Sequence, residues 1–186
     1  MRSALQERSS VFALETPGNP PDGEGTLIAP LWVLTAAHVG VEVEAGHALT
    51  IVGADYEVEA TFVHPAWDDG ASDDIALIKL KRPVAGVDPV GLYPHQDEVG
   101  GIVTVVGRGD FGTGETGPTG NDRRVRGATN KVDGANEGLL WWRFDAPGES
   151  TGNAMRLEGI SGPGDSGGPA FIDVDGSRYV VGVSSA

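Results

Sequence analysis

Ser166 stands in the run Gly162-Pro163-Gly164-Asp165-Ser166-Gly167-Gly168-Pro169, a serine flanked by glycines and set between two strand-like apolar stretches. Glycine lets the backbone approach a substrate closely and take angles that other residues avoid, so a serine here is presented with free N–H groups on either side. A nucleophile facing an oxyanion hole needs that arrangement, although a glycine-rich turn with an incidental serine reads the same when taken alone. A serine hydroxyl is a poor nucleophile until a base takes its proton, and histidine is the usual base near neutral pH. The chain offers His38, His47, His64 and His95, all of which precede Ser166. The serine run also satisfies a Gly-x-Ser-x-Gly elbow, but the fold that uses it needs alternating helices and the order serine, acid, histidine.

The elements available to position these groups are strands. Gly (29) and Pro (12) punctuate short runs rich in Val, Ile, Leu and Thr, the pattern of an all-β protein with many turns. Strands are expected over 10–14, 25–28, 32–35, 48–52, 57–63 and 75–80, and then over 101–107, 123–132, 139–144 and 154–157. A closing hairpin joins 169–174 to 178–184 across Asp175-Gly176, a pair suited to positive φ at a tight bend. No stretch of ten or so residues keeps apolar spacing at i, i+3, i+4, so helix is limited to single turns, one of them near 36–39. The glycine-rich stretch 107–120 reads as a loop, and 82–100, with three prolines, as a connection between two β units. No repeat of solenoid or propeller length is present. With helices absent, an α/β chain in the order acid, histidine, serine fails as well. What remains is the order histidine, aspartate, serine on an all-β scaffold.

Composition narrows the chemistry further. The 186 residues contain no cysteine, which excludes a thiolate nucleophile, a thiolate metal ligand and a disulfide framework. A net charge of −14 repels phosphate backbones and anionic lipid, so nucleic acid and membrane surfaces are not expected as partners. No apolar run reaches the roughly 18 to 20 residues needed to span a bilayer, and residues 1–10 lack the apolar core of an export signal. There is no His-Glu-x-x-His or clustered set of histidines, so neither a metal nor another cofactor is expected.

Three segments then carry a resemblance. Leu34-Thr35-Ala36-Ala37-His38, Asp74-Ile75-Ala76-Leu77-Ile78-Lys79-Leu80 and Gly164-Asp165-Ser166-Gly167-Gly168-Pro169 resemble, in order, the three signature segments of trypsin/chymotrypsin-like serine peptidases. Trp32-Val33, His64-Pro65 and Thr104-Val105-Val106-Gly107 extend the likeness, which runs from about Val11 to Ser185. It implies an all-β chain of two antiparallel six-stranded Greek-key barrels at an interdomain cleft, residues 1–90 carrying His38 and Asp74 and residues 91–186 carrying Ser166. It also implies a serine endopeptidase working through an acyl-enzyme on polypeptide substrates, with His38, Asp74 and Ser166 as triad and the N–H groups of Gly164 and Ser166 as oxyanion hole. A secreted or extracytoplasmic monomer is the expectation from the same source. Asp74 is preferred to Asp73 because it directly precedes the apolar strand. The tripeptide Arg108-Gly109-Asp110 is read as chance.

The chain departs from that family pattern in three places. Members activated by cleavage carry an Ile/Val-rich start that pairs with the aspartate before the nucleophile, here Asp165, and residues 1–10 show none. The stretch 181–186, with Ser184 and Ser185, resembles the strand that walls the specificity pocket, and the sequence stops where the family continues through another pocket strand and a terminal helix. The second barrel is therefore expected to be incomplete at its C-terminus. At the position six before the nucleophile stands Ile160, an apolar floor that cannot pair a buried cation, so basic residues at P1 are disfavoured and small or apolar ones preferred. Glu158 takes that role only if the loop register slips. The competing reading is a catalytically silent two-barrel module that binds peptide or protein in its cleft.

Overall fold

The structure, a computed structural model, describes residues 10–14, 23–70, 72–148 and 154–186. The N-terminal stretch in which an activation segment was sought lies, up to residue 9, outside those residues. The first half contains β1 (Val11–Ala13), β2 (Glu24–Ala29), β3 (Trp32–Thr35), the single helical turn α1 (Ala37–Gly40), β4 (Ala48–Ile51), β5 (Ala54–Val63) and β6 (Ala76–Leu80). The second contains β7 (Gly91–Leu92), β8 (Ile102–Gly107), β9 (Phe111–Thr113), β10 (Gly117–Gly120), β11 (Arg126–Lys131), β12 (Gly134–Asn136), β13 (Leu139–Trp141), β14 (Pro169–Val174) and β15 (Ser177–Val183).

Strands β1 to β6 form one antiparallel sheet in the order β1-β2-β3-β6-β5-β4, curled into a nearly closed barrel. Alternation drives it. On β6 the side chains of Ala76, Ile78 and Leu80 are buried while Leu77 and Lys79 are half-buried, and on β5 Tyr56 and Val58 turn inward between exposed neighbours. These residues join Leu27, Val33, Leu49 and Ile51 in one continuous core.

The second sheet runs β11-β8-β14-β15-β7. Its central strand β14, paired with β8 and β15, opens with four consecutive buried residues, Pro169 to Ile172, so both of its faces are covered there. The β14–β15 hairpin turns at Asp175 and Gly176, whose φ values of 51° and 76° fit the expected tight bend. A second, smaller apolar cluster is built from both halves: Val11 and Leu34 from the first barrel, Val90 from the connection, Phe171 and Val180 from the second sheet. This is the joint between the two units.

Two expectations are corrected. Residues 107–120 are not a plain loop: β9 and β10 pair as a hairpin, its glycines allowing backbones to close to a distance at which a side chain on Gly112 would strike the Gly117 carbonyl. Residues 154–157 form no strand but lead through a turn at 156–157 to an isolated bridge between Glu158 and Thr129. The second sheet has five strands, and β7, drawn from the connection, pairs parallel to β15, so this unit is an incomplete barrel, as expected.

Candidate active site

Antiparallel pairing of β3 with β6 sets Thr35 opposite Ala76. The chain leaving β3 turns through α1, which carries His38, while the chain entering β6 has just passed Asp74, so register alone brings these two residues together. The His38 backbone N–H donates to Asp74 Oδ1 at 2.9 Å, and His38 Nδ1–H donates to Asp74 Oδ2 at 2.7 Å. The Asp74 side chain is 2 % exposed and that of His38 39 %, so a buried carboxylate orients a partly exposed ring. The neighbouring Asp73 takes φ of 57° and leaves its carboxylate 40 % exposed.

A third bond reaches Asp74 from the other half of the molecule. Ser185 Oγ donates to Asp74 Oδ2 at 2.6 Å. Burial pushes the Asp74 carboxyl up, but the bonds from Ser185 and His38 outweigh it and hold the group below the ordinary carboxylate value. Ser185 was expected to face substrate; its hydroxyl is turned to Asp74. The Ser184 hydroxyl is buried with no hydrogen-bond partner.

Ser166 lies in the turn that enters β14. Gly167 N donates to the Ser184 carbonyl at 2.7 Å and Ser184 N returns a bond to Gly168 at 2.8 Å, fastening the turn to the end of β15. On its other side Glu24 N donates to the Ser166 carbonyl at 2.7 Å. Gly167 has φ of 76°, and a Cβ there would lie 2.3 Å from both the Glu24 carbonyl and Thr35 Oγ1, so only glycine fits. Gly164, at φ of 90°, shapes the preceding turn, and among the described residues the amides of Gly164 and Ser166 donate to no acceptor. The Ser166 hydroxyl donates to the carbonyl oxygen of Ala186 at 2.5 Å, not to His38.

Ile160 is half exposed and lines a pocket of about 440 Å³ beside this turn, together with Val106, Phe111, Phe144, Pro169 and Ser184. Glu158 also borders it, but its carboxylate accepts from the amides of Asp145 and Met155 and is thereby held to the backbone. His47, His64 and His95 stand apart: the first two accept local amide bonds and the third packs edge-on against Tyr93.

Sequence reading passed over Glu24 and Arg108. Arg108 Nη1 donates to Glu24 Oε2 at 2.6 Å, with the Glu24 side chain 1 % exposed. The available signal was a carboxylate inside the otherwise small and apolar run Gly23-Glu24-Gly25-Thr26-Leu27-Ile28, which a barrel strand tolerates only with a partner.

A family model described as Trypsin matches residues 19–186. A trypsin from Saccharopolyspora erythraea is 29 % identical over 205 residues, an alignment covering 97 % of this chain and 82 % of that protein. Snake venom serine protease KN14 from Trimeresurus stejnegeri is 34 % identical over 103 residues, 47 % of this chain and 38 % of its own length. Snake venom serine protease Haly-2 from Gloydius brevicauda is 30 % identical over 125 residues, 59 % of this chain and 46 % of its own. The matched stretch thus spans less than half the length of the venom relatives. Among the described residues no helix is long and apolar enough to cross a membrane.

Proposed function

The chain belongs to the trypsin family of serine peptidases, and from that premise we propose that it is an endopeptidase using His38, Asp74 and Ser166 as its triad. The observation that carries the reading is the twofold grip of buried Asp74 on His38, through the backbone N–H and through Nδ1. That grip fixes the tautomer in which Nε2 is unprotonated and free to accept a proton. Ser166 Oγ passes its proton to His38 Nε2 and attacks the scissile carbonyl. The oxyanion that forms is met by the unengaged N–H groups of Gly164 and Ser166, each such donor being worth about 3 to 4 kcal/mol in related chemistry. His38 then gives the proton to the leaving amine, and water, deprotonated by the same ring, hydrolyses the acyl-enzyme.

The pocket beside Ile160 supports a small or apolar P1 residue. Its walls include Val106, Phe111 and Phe144; of the charged groups that also line it, Glu158 and Asp165 each accept from two backbone amides and Arg126 is paired with Asp122. An extracytoplasmic location is proposed with this activity, in keeping with relatives named as venom proteases.

Labelling with a fluorophosphonate, read by mass spectrometry, tests the reading. Stoichiometric modification of Ser166 that disappears in Ser166→Ala and His38→Ala is the expected result. The Ser166 hydroxyl bonds the Ala186 carbonyl rather than His38, an arrangement that a second reading, a silent peptide-binding module on the same fold, accommodates equally. A folded chain that takes no label decides for that module and against the peptidase.

A further inference from the structure

Beside Ser166 an ion pair joins the two β units. Glu24 begins β2 in the first barrel, and Arg108 follows directly on β8 in the second sheet, 84 residues away. The pair is buried on the Glu24 side, and the same guanidinium reaches the Val11 carbonyl of β1 at 3.3 Å. Both partners are chained to the nucleophile turn through the backbone. Glu24 N donates to the carbonyl of Ser166 itself, while Thr35 Oγ1 donates to the Glu24 carbonyl at 2.8 Å. On the Arg108 side, the next residue, Gly109, donates its N–H to Asp165 Oδ1 at 2.7 Å, and Gly162 N–H supplies Asp165 Oδ2 at 3.0 Å. Asp165 is wedged so closely that a Cβ on Gly107 would lie 2.0 Å from its Oδ1.

We propose that Glu24 and Arg108 are positioning residues for the peptidase reaction: a latch between the two units that sets Ser166 and its oxyanion turn through the Ser166 carbonyl and the Asp165 carboxylate. The inference rests on the peptidase reading for its catalytic consequence, but not for its geometry. A pair retained for stability alone is a poor explanation here. Burying both charges costs desolvation that their attraction barely repays, and apolar replacements of such pairs are often neutral or stabilising. In this pair burial pushes the Glu24 carboxyl up to about 7 in spite of Arg108, with Asp165 adding to the rise. What the ion pair does supply is direction. It holds the end of β8 against the start of β2, and those two segments carry the amides that grip residues 165 and 166.

Amide hydrogen exchange measured by mass spectrometry tests the latch without requiring activity, on peptides spanning 107–110 and 162–168, with 48–63 as the distant control. Arg108→Met leaves a buried, unpaired carboxylate and is expected to lose thermal stability. The double variant Glu24→Gln/Arg108→Met removes that charge and is expected to melt within a few degrees of the parent. Its exchange in both turn peptides should still run at least tenfold faster than the parent's, with the control unchanged, and its fluorophosphonate labelling of Ser166 should slow at least tenfold in rate constant with little change in KM for a small ester. A double variant that regains parental exchange in 107–110 and 162–168 along with its stability overturns the proposal, and it does so even if Arg108→Met alone fails to fold. A parent that takes no label while the exchange difference persists sinks the peptidase reading and leaves the latch standing.

Discussion

The first barrel and the sheet that carries Ser166 solve the burial problem differently. In the barrel, Leu27, Val33, Val58, Ile78 and Leu80 are all fully enclosed, and the exposed large apolar side chains, Val41, Val52, Phe62 and Ile75, sit in turns or near strand ends. In the second unit the apolar residues Ile102, Phe111, Trp141, Phe144, Leu157 and Ile160 are all at least a third exposed, and its buried apolar positions are few, chiefly Val103 on β8, Val132 just after β11, Ala170, Phe171 and Ile172 on β14 and Val180 on β15. The proposed base and its carboxylate therefore stand on the closed unit, and the proposed nucleophile stands on a glycine-lined turn of the open one. A rigid frame holds the group whose tautomer matters, while the turn takes its position from the partner unit, through Glu24 N, Thr35 and the Arg108 pair. Placement of the turn by contacts rather than by its own core is what gives each unit a separate way to fail.

That contrast can be broken by substitution. The largest effect is expected at the junction of the two units: Asp74→Asn leaves the ring in the wrong tautomer and should lower kcat/KM by about 10⁴-fold with thermal stability nearly kept, as read in steady-state hydrolysis of a small ester. Next comes the closed core. Ile78→Ala should cost about 3 to 5 kcal/mol in denaturant unfolding, because the barrel cannot collapse around the void, whereas Ile102→Ala, on the open sheet, should cost under about 1 kcal/mol. Equal losses at the two sites would erase the distinction between the units.

The pH dependence of the latch follows in size. The Glu24 carboxyl stands at about 7 in the folded chain against an ordinary 4.5, so between these values the native state holds more protons than the unfolded one. Its contribution is complete below about pH 4.5 and is lost as pH rises through 7. Parent stability relative to Glu24→Gln should accordingly fall by about 3 kcal/mol between pH 4.5 and 8, measured as the difference of two unfolding curves. A difference that grows in the opposite direction would mean that Arg108 outweighs burial. The smallest effect belongs to the barrel's outer face. Lys79 and Glu59 pair across β6 and β5 at 2.7 Å with Glu59 exposed and Lys79 half-buried, and Lys79→Met should change stability by under about 1 kcal/mol.

Much of this architecture was legible because its signals are local. Alternation over β4, β5 and β6, the Asp175-Gly176 bend, and the glycines around Ser166 all follow from steric rules acting within a few residues. Asp74 could be separated from Asp73 because the residue that directly precedes an inward-facing strand is the one drawn beneath the barrel wall. The hairpin β9–β10 was missed for the converse reason: its strands are mostly glycine, threonine and proline, with no side-chain alternation to betray the pairing. The stretch 154–157 was misjudged since its apolar residues imitate a strand, while Glu158 folds back to cap the amides of Met155 and Asp145.

By itself, then, the sequence determined the all-β class, the order histidine, aspartate, serine, and the turn that must display the serine, since each depends on residue type and short-range spacing. Tertiary structure alone decided that Ser185 serves Asp74, that the Ser166 hydroxyl meets the Ala186 carbonyl, and that Glu24 finds Arg108. These partners lie 20 to 111 residues apart, and each bond exists only once two β units have closed on a common joint. A carboxylate or hydroxyl in a strand announces that it needs a partner, but which one it meets is fixed by strand register and by the packing of one unit against the other, and neither is written in the neighbouring residues.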